Sequence, residues 1–484
     1  MVVVKMPPTA SNSAMSNSTN TSSVLHDITN QSLDPDRSVP GSKKGLINFL
    51  RGWPSPSLLS PSILQSATTA LLSDPALFVP ALQYGPDPGY QPLREELAVW
   101  LGQQYSTKTR SEEICITGGA SQGLACVLAS FTDPAYTQTV WASAPCYYLA
   151  CPIFEDAGFG PGRINAVPED QQGGMDIALL ETLLQKYEPR QNVANHRERK
   201  TAGPYRKHYR HVVYLVSTCS NPSGTTMPLE KRKALVELAR RYDVLVVSDD
   251  VYDFLQWPIV TTPTKTSFSP EELGPLLPRL SDVDLSLPSL LADITEGRRF
   301  GNAISNGSFS KLLGPGLRTG WVHGTPDFIT GLSQTGATRS GGAGSQFAAA
   351  LVAEVMKAGE LERHLRETVR PGLQRRHGLL IDVIQQELGP LGVTVAAQDG
   401  ARFGGYFVWL TLPEGLDGKM VAQRARQDEE LIVAEGEMFE VRGDDQGAKF
   451  RENIRLSFSW EEEQNLKEGV GRLGNVLGAL VGKK

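Results

Sequence analysis

Residues Val244 to Val247 form an uninterrupted apolar run that ends at Ser248-Asp249-Asp250. A strand without polar alternation is buried on both faces, as happens when helices cover both sides of a mainly parallel sheet. A helical pattern over Leu229–Tyr242 precedes this run, and another strand candidate, Val212–Ser217, precedes the helix. This strand–helix–strand order predicts an α/β domain with a largely parallel sheet.

The same alternation extends over the first two thirds of the chain. Further strands of this sheet are predicted at Ile114–Thr117, Val140–Ala144 and Ala303–Asn306. After Gln346 the pattern changes to long helices and then to strands, which predicts a second, smaller α/β domain. The helices are predicted at Ala348–Gly359 and Leu361–Leu388, and the strands at Gly404–Leu412 and Asn453–Phe458.

Local composition sets the expected domain limits. Residues 1–44 are rich in Ser, Asn and Thr, so they cannot bury a core and are predicted to be a disordered tail. The large domain is expected to span residues 78–345, and the small domain to combine residues 45–77 with residues 346–484. Two insertions or flexible loops are also predicted, at Asn192–Arg210 and Pro258–Arg299.

Charge and cysteine content exclude several classes of protein. The 47 Lys and Arg residues against 53 Asp and Glu residues give a formal net charge of -6, which offers no footprint for nucleic acid or an anionic membrane. No apolar run approaches the roughly 18 residues of a membrane span. The five cysteines form no CxxC pair and the histidines no metal-ligand spacing. Free thiols in the cytoplasm are therefore predicted, and no metal site.

Four polar segments follow predicted strands, where ligands bind in parallel α/β sheets. They are Gly119–Gly123, Ser217–Gly224, Ser248–Tyr252 and Ser308–Arg318. A lysine beside a Gly-Pro-Gly turn, Lys311, suits an activated amine, although a lone lysine of this kind is more often a surface residue. A carboxylate at the end of a buried strand, Asp249, is costly unless it meets a cation.

The segment Gly119–Gly123 has two interpretations. Backbone amides at the start of a helix form a cradle for phosphate. The same letters also spell GxSxG, the nucleophile elbow of serine hydrolases, with Ser121 as the nucleophile. The residues alone leave both interpretations open.

Taken together and in this order, the four segments resemble one family, the fold type I pyridoxal-phosphate enzymes, within the class I/II aminotransferases. Ser308–Arg318 followed by Gly320-Trp321 matches the family signature S-F-S-K-x-x-x-P-G-L-R-x-G-W at nearly every position. The similarity extends from about Ile47 to Phe458. It is closest to the branch that contains the 2-aminoadipate and aromatic amino-acid aminotransferases.

The resemblance implies an aspartate-aminotransferase-like fold, in which a large domain has a mostly parallel seven-stranded sheet between helices and a smaller α/β domain is attached. It implies pyridoxal 5'-phosphate as cofactor. It also implies transfer of an amino group between an L-amino acid and a 2-oxoacid in two ping-pong half-reactions. A homodimer with shared active sites is expected as well.

The resemblance also assigns roles to residues. Lys311 would form the internal aldimine and move the substrate proton, and Asp249 would pair with the pyridine nitrogen. Tyr252 and Asn221 would hydrogen-bond the phenolic oxygen of the cofactor, and Tyr147 would stack on its ring. The phosphate would be held by Ala120, Ser121, Ser308, Arg318 and, from the neighbouring subunit, Tyr84. The substrate would be bound by Arg455 at its α-carboxylate, by Asn221 and by the backbone of Gly52.

Three alternatives to an aminotransferase remain at this point. An amino-acid lyase, decarboxylase or racemase of the same fold would use the same site. A serine hydrolase at Ser121 would leave Lys311, Asp249 and Arg318 without a role. A transcription regulator with an aminotransferase-like domain would need a DNA-binding domain ahead of Gly45, which the Ser- and Asn-rich tail cannot form.

Overall fold

The apolar runs in the first two thirds of the chain form the central sheet of the protein. The structure is a computed structural model that describes residues 44–187, 200–258, 275–288, 294–295, 297–339, 344–396 and 402–482. Nearly all of the predicted tail (residues 1–43) lies outside these ranges. Ile47 and the residues after it form one compact unit. The division of this unit into a large and a small domain stays a prediction.

The strands of the described residues are numbered in chain order. They are β1 Ile47–Asn48, β2 Ile114–Thr117, β3 Thr139–Ala144, β4 Ile164–Pro168, β5 His211–Leu215, β6 Val244–Asp249, β7 Gln256–Pro258, β8 Ile294–Thr295, β9 Arg298–Arg299, β10 Ala303–Ser308, β11 Gly320–His323, β12 Thr394–Val395, β13 Arg402–Gly404, β14 Phe407–Thr411, β15 Leu431–Ile432, β16 Ala434–Glu435 and β17 Asn453–Ser457.

The helices of the described residues follow the same numbering. They are α1 Pro61–Ser73, α2 Pro75–Ala81, α3 Gln91–Tyr105, α4 Ala120–Phe131, α5 Cys151–Asp156, α6 Ile177–Lys186, α7 Leu229–Arg241, α8 Leu280–Ser286, α9 Pro326–Ser333, α10 Gln346–Lys357, α11 Glu360–His364, α12 Arg370–Val383, α13 Gly418–Glu429 and α14 Glu463–Val481. Helical turns of the π type continue α12 at both ends, at Leu365–Val369 and Ile384–Leu388.

Within the described residues, the central sheet has seven strands in the order β2-β11-β10-β6-β5-β3-β4. Strand β11 runs antiparallel to its neighbours β2 and β10, and the other pairs are parallel. Val244 and Val246 of β6 belong to one hydrophobic cluster, and Leu245 and Val247 belong to another. Because alternate side chains of a strand point to opposite faces, β6 is buried on both sides, which confirms the prediction.

The C-terminal part of the chain forms an antiparallel sheet in the order β12-β14-β17-β16. Helix α14 packs against α12 and α13 beside this sheet. The prediction of one continuous strand over Gly404–Leu412 is wrong, because β13 and β14 are separate strands that pair with different partners. Gly405 breaks the strand, since its φ of +75° lies in the left-handed region.

Of the two interpretations of Pro258–Arg299, an insertion or a flexible loop, the second is wrong for the part that contains α8. Leu280 and Val283, three residues apart, are buried on one face of this helix. Arg279 before the helix pairs with Asp282 at 2.8 Å and closes its first turn. These apolar residues are too few and too close to a proline-rich stretch to stand out in the sequence. None of the helices in the described part of the chain is long and apolar enough to span a bilayer.

Candidate active site

Polar residues that follow four strands of the central sheet lie at its carboxyl-terminal edge. Asp249 ends β6, and Asn221 lies in the loop after β5. Tyr147 follows β3, and Lys311 lies one turn beyond β10. The carboxyl ends of parallel strands share one edge of a sheet, so segments about 160 residues apart in the chain approach each other here.

Lys311 is held in a short helical turn, Phe309–Lys311, directly after β10. The backbone N–H of Ser310 donates to Ser308 Oγ at 3.1 Å and begins this turn. Lys311 Nζ donates to the carbonyl oxygen of Gly52 at 2.8 Å and lies 5.2 Å from the centre of the Tyr406 ring. Burial lowers the pKa of Lys311 to about 8, although Asp249 acts in the opposite direction. A neutral amine is therefore accessible near physiological pH.

Asp249 is buried, with 7% of its surface exposed. Its Oδ2 accepts a hydrogen bond from the Tyr214 hydroxyl at 2.9 Å, whereas its Oδ1 has no partner among the described residues. Burial raises the pKa of Asp249 to about 7, and Asp250 adds to this shift. Burying a carboxylate oxygen without a partner has an unfavourable free energy. A cation or a hydrogen-bond donor bound at this edge of the sheet would relieve it.

Arg455 lies in β17 and is 3% exposed. Its Nη1 donates to Asn221 Oδ1 at 2.8 Å, and its Nη2 donates to the Leu50 carbonyl at 2.6 Å. The guanidinium carbon lies 4.0 Å from the centre of the Phe407 ring and 4.8 Å from that of Phe439. Its Nε has no partner among the described residues. Burial lowers the pKa of Arg455 to about 10, which still leaves the side chain charged at neutral pH.

Helix α4 begins at the edge of the sheet, directly after β2 and Gly118-Gly119. The first amides of an α-helix have no partner within the helix, so such a helix start can bind an anion. Gly119 has a φ of +102°, and a Cβ there would lie 2.9 Å from Arg318 Nη2. Arg318 Nη2 donates to the Gly118 carbonyl at 3.0 Å, so its charge lies beside the helix start. The arrangement combines a helix N-terminus with the guanidinium of an exposed arginine.

Comparison with known proteins identifies the family. The family model described as aminotransferase class I and II matches residues 77–473 of the chain. The chain belongs to the class I and II aminotransferases. Its activity is amino transfer that depends on pyridoxal phosphate, and the resemblance found in the sequence is confirmed.

Two relatives are similar to this aminotransferase over most of its sequence. An uncharacterised protein of Saccharomyces cerevisiae is 33% identical over 453 residues, which cover 89% of this chain and 96% of that protein. Aromatic-amino-acid aminotransferase 1 of Thermococcus litoralis is 29% identical, over 89% of this chain and 88% of the relative.

A solved structure is also similar. The α-aminoadipate aminotransferase LysN of Thermus thermophilus, complexed with N-(5'-phosphopyridoxyl)-L-leucine, superposes with a TM-score of 0.67 and 28% identity. The match covers 91% of this chain and 94% of that one. The predicted fold class is confirmed.

Two other residues predicted for the aminotransferase site have aromatic surroundings. Tyr252, which is 4% exposed, lies with its ring 5.6 Å from that of Tyr406. The ring of Tyr147 makes an edge contact with Tyr148 at 6.0 Å. Burial raises the pKa of both Tyr147 and Tyr252 well above the usual value, so both phenols keep their protons.

Two predicted cofactor ligands of the aminotransferase lie on its surface. Tyr84 is 87% exposed, so it is not enclosed within the site of its own chain. Ser121 is also exposed, in the first turn of α4. The carbonyl of the adjacent Ala120 accepts a hydrogen bond from Asn306 Nδ2 at 2.9 Å.

Two tyrosines of the site were not predicted. Tyr214 contacts Asp249 from the neighbouring strand. Tyr406 is fully buried beside Lys311 and Tyr252, and its hydroxyl has no partner among the described residues. Each lies in an apolar or aromatic run, where a tyrosine is also an ordinary core residue, so only the fold distinguishes them.

Proposed function

We propose that the aminotransferase transfers amino groups at a site in which Lys311, Asp249 and Arg455 bind the reacting groups. The observation that carries this proposal is an amine of lowered pKa at the same sheet edge as a buried carboxylate oxygen without a partner. The amine suits covalent attachment and proton transfer, and the carboxylate suits a protonated ring nitrogen.

The described residues fit pyridoxal phosphate. The unpartnered Oδ1 of Asp249 suits the protonated ring nitrogen, which supplies the opposite charge that a buried carboxylate needs. The start of α4, Gly119 and Arg318 suit the phosphate. When bound, this cofactor withdraws electrons from the substrate carbon that bears the amino group.

Around the cofactor ring, Tyr147 would cover one face, and Tyr252 and Asn221 would donate to its phenolic oxygen. Asn221 already accepts from Arg455, so its amide nitrogen is directed to another acceptor. Ser308 is 3% exposed and joins β10 to the turn of Lys311, within the segment assigned to the phosphate. The amides near Ala120 and Ser121 complete the phosphate site.

Lys311 is the proton carrier in this proposal. With pyridoxal phosphate bound, its neutral amine would take the proton from the substrate Cα, and the ammonium so formed would supply the proton that amino transfer requires. The lowered pKa places the amine near the operating pH, where both protonation states are populated. The contact of its Nζ with the Gly52 carbonyl brings the segment near Gly52 over the amine, where it limits access of water.

Arg455 binds the α-carboxylate of the substrate. Its guanidinium is held by Asn221, by the Leu50 carbonyl and by two aromatic rings, so it is oriented before the substrate binds. A fixed α-carboxylate determines which bond of Cα is presented to Lys311.

The proposal is tested first by colour and by reduction. The purified protein is expected to be yellow, and borohydride is expected to fix the cofactor to Lys311, as peptide mapping would detect. A half-reaction screen of amino acids and 2-oxoacids, followed by absorbance, then separates amino transfer from lyase or decarboxylase chemistry at the same site. A colourless protein that takes up no pyridoxal phosphate contradicts the proposal.

The rate at which pyridoxal phosphate attaches to the apoprotein is expected to depend on pH through Lys311. Only the neutral amine reacts, and the pKa of this lysine is lowered to about 8. The rate should therefore rise with pH up to about 8 and then level off, as stopped-flow absorbance would measure. N-acetyl-lysine amide, which carries an ordinary lysine side chain, is the control. Its rate of attachment should keep rising with pH up to about 10.4. If the rate for the protein levels off only near pH 10, the lowered pKa of Lys311 is wrong.

Replacing Arg455 by glutamine is expected to raise the KM for the amino acid about a hundredfold, since losing one partner of a buried charge pair weakens binding strongly. Steady-state kinetics with one amino acid and one 2-oxoacid measures the effect. Arg472→Gln is the matched control, because Arg472 is also buried but pairs with Glu468 in α14. Equal KM values for the two variants are not compatible with a carboxylate site at Arg455.

We also propose a homodimer in the cytoplasm. The exposed ring of Tyr84 supports the dimer, together with the exposed apolar residues Leu72, Val79 and Leu82 near it in the chain. In a dimer, Tyr84 would reach the phosphate of the partner subunit. Sedimentation at micromolar concentration tests the assembly, and a single-chain mass would refute it. Five free and buried cysteines support a reducing compartment, which a fluorescent fusion would test.

A further inference from the structure

Tyr214 lies in β5, in the interior of the central sheet, and is 1% exposed. Its backbone pairs with Val247, two residues before the end of β6. Its hydroxyl donates to Asp249 Oδ2 at 2.9 Å. Strand β5 therefore supplies a hydrogen-bond donor to one oxygen of the Asp249 carboxylate, Oδ2.

The position of this hydroxyl is fixed by packing. The Tyr214 ring belongs to the hydrophobic cluster that covers one face of the sheet, and Phe154 meets it edge-on at 5.4 Å. A ring packed on several sides has little rotational freedom, so the position of its hydroxyl relative to Asp249 is fixed. The hydrogen bond from this hydroxyl fixes Asp249 Oδ2, whereas Oδ1 has no partner among the described residues.

We propose that Tyr214 is a positioning residue for the cofactor: it holds Asp249 as an anion and directs Oδ1 to the ring nitrogen. This inference rests on the proposed function. If Tyr214 is a positioning residue, the effect of its hydroxyl on binding depends on the ring nitrogen of the cofactor. A purely structural role of Tyr214 would not depend on that atom.

The charges around Asp249 explain why a donor is needed there. Burial raises the pKa of Asp249 to about 7, and the adjacent Asp250 raises it too. Lys311 and the Tyr214 hydrogen bond act in the opposite direction. Without the hydroxyl, Asp249 holds a proton at higher pH, and a neutral carboxylic acid pairs less well with a protonated ring nitrogen.

The experiment compares two ligands on apoprotein of the full chain. Pyridoxal phosphate is the first, and its 1-deaza analogue, in which a C–H replaces the ring nitrogen, is the second. In Tyr214→Phe, we expect the dissociation constant for pyridoxal phosphate to rise about tenfold. The dissociation constant for the analogue should change by less than twofold, because the analogue has no ring N–H for Asp249. Fluorescence quenching measures both.

Tyr209→Phe is the matched control. Tyr209 is also fully buried in the same hydrophobic cluster, but its hydroxyl donates to the carbonyl of Gly301. This variant should bind both ligands as the original protein does, and its unfolding temperature shows what the loss of one buried phenol hydroxyl does to stability. Introducing Tyr214→Phe into Asp249→Asn should have no further effect on pyridoxal phosphate binding.

The outcomes distinguish the possible failures. Equal weakening of both ligands in Tyr214→Phe would show that the residue only maintains the fold. Unchanged affinity for both would show that its hydroxyl has no role. If the original protein binds no pyridoxal phosphate, the proposed function fails before Tyr214 is tested.

Discussion

Replacing Lys311 by alanine is expected to lower the rate of the amino-acid half-reaction by about 10⁴-fold. Removal of a positioned acid–base group costs about 10²–10⁴-fold, and this variant also loses the amine that attaches the cofactor. Stopped-flow absorbance after addition of an amino acid measures the rate. Borohydride should no longer fix the cofactor to the chain, although the cofactor should still bind.

Lys207→Ala is the control for this experiment. Lys207 Nζ pairs with Asp243 at 2.7 Å, and both residues precede strands of the central sheet, at the edge opposite to Lys311. This variant should keep the full rate. A Lys311→Ala enzyme that still turns over, or that still holds the cofactor after borohydride treatment and denaturation, would show that another residue is the nucleophile.

Replacing Asp249 by asparagine is expected to lower the same rate about a thousandfold. The side chain keeps its shape but loses the charge that faces the ring nitrogen, and losing one partner of a buried ion pair costs about 3–5 kcal/mol. The cofactor ring then holds its proton less well and withdraws electrons less strongly. Rapid kinetics at saturating cofactor separates the lower rate from weaker binding.

Asp282→Asn is a control for the loss of a buried carboxylate. Asp282 of helix α8 pairs with Arg279, the residue before the helix, and is 8% exposed. Its variant should unfold at a lower temperature than the original protein but keep the rate of the half-reaction. If Asp249→Asn retains the full rate with bound cofactor, the assignment of Asp249 to the ring nitrogen is wrong.

Local sequence pattern predicts much of the central sheet. The continuous apolar run Val244–Val247 identifies a strand buried on both faces, and the spacing of charged and apolar residues identifies α7 behind it. Helix α8 is not predicted from the sequence pattern, because two buried apolar residues in a proline-rich stretch do not show a clear helical periodicity. The break between β13 and β14 also escapes it, since the pairing of each strand is a long-range contact.

The sequence by itself determined the α/β class, the family and the identity of the residues proposed for the reaction, because these depend on short motifs whose chemistry is local. Lys311, Asp249 and Arg455 are recognisable from their neighbours in the chain. Only the tertiary structure decided which atoms remain available at the site. Tyr214 occupies Asp249 Oδ2 and leaves Oδ1 without a partner among the described residues. Such a contact joins different strands through packing, so no local pattern predicts it.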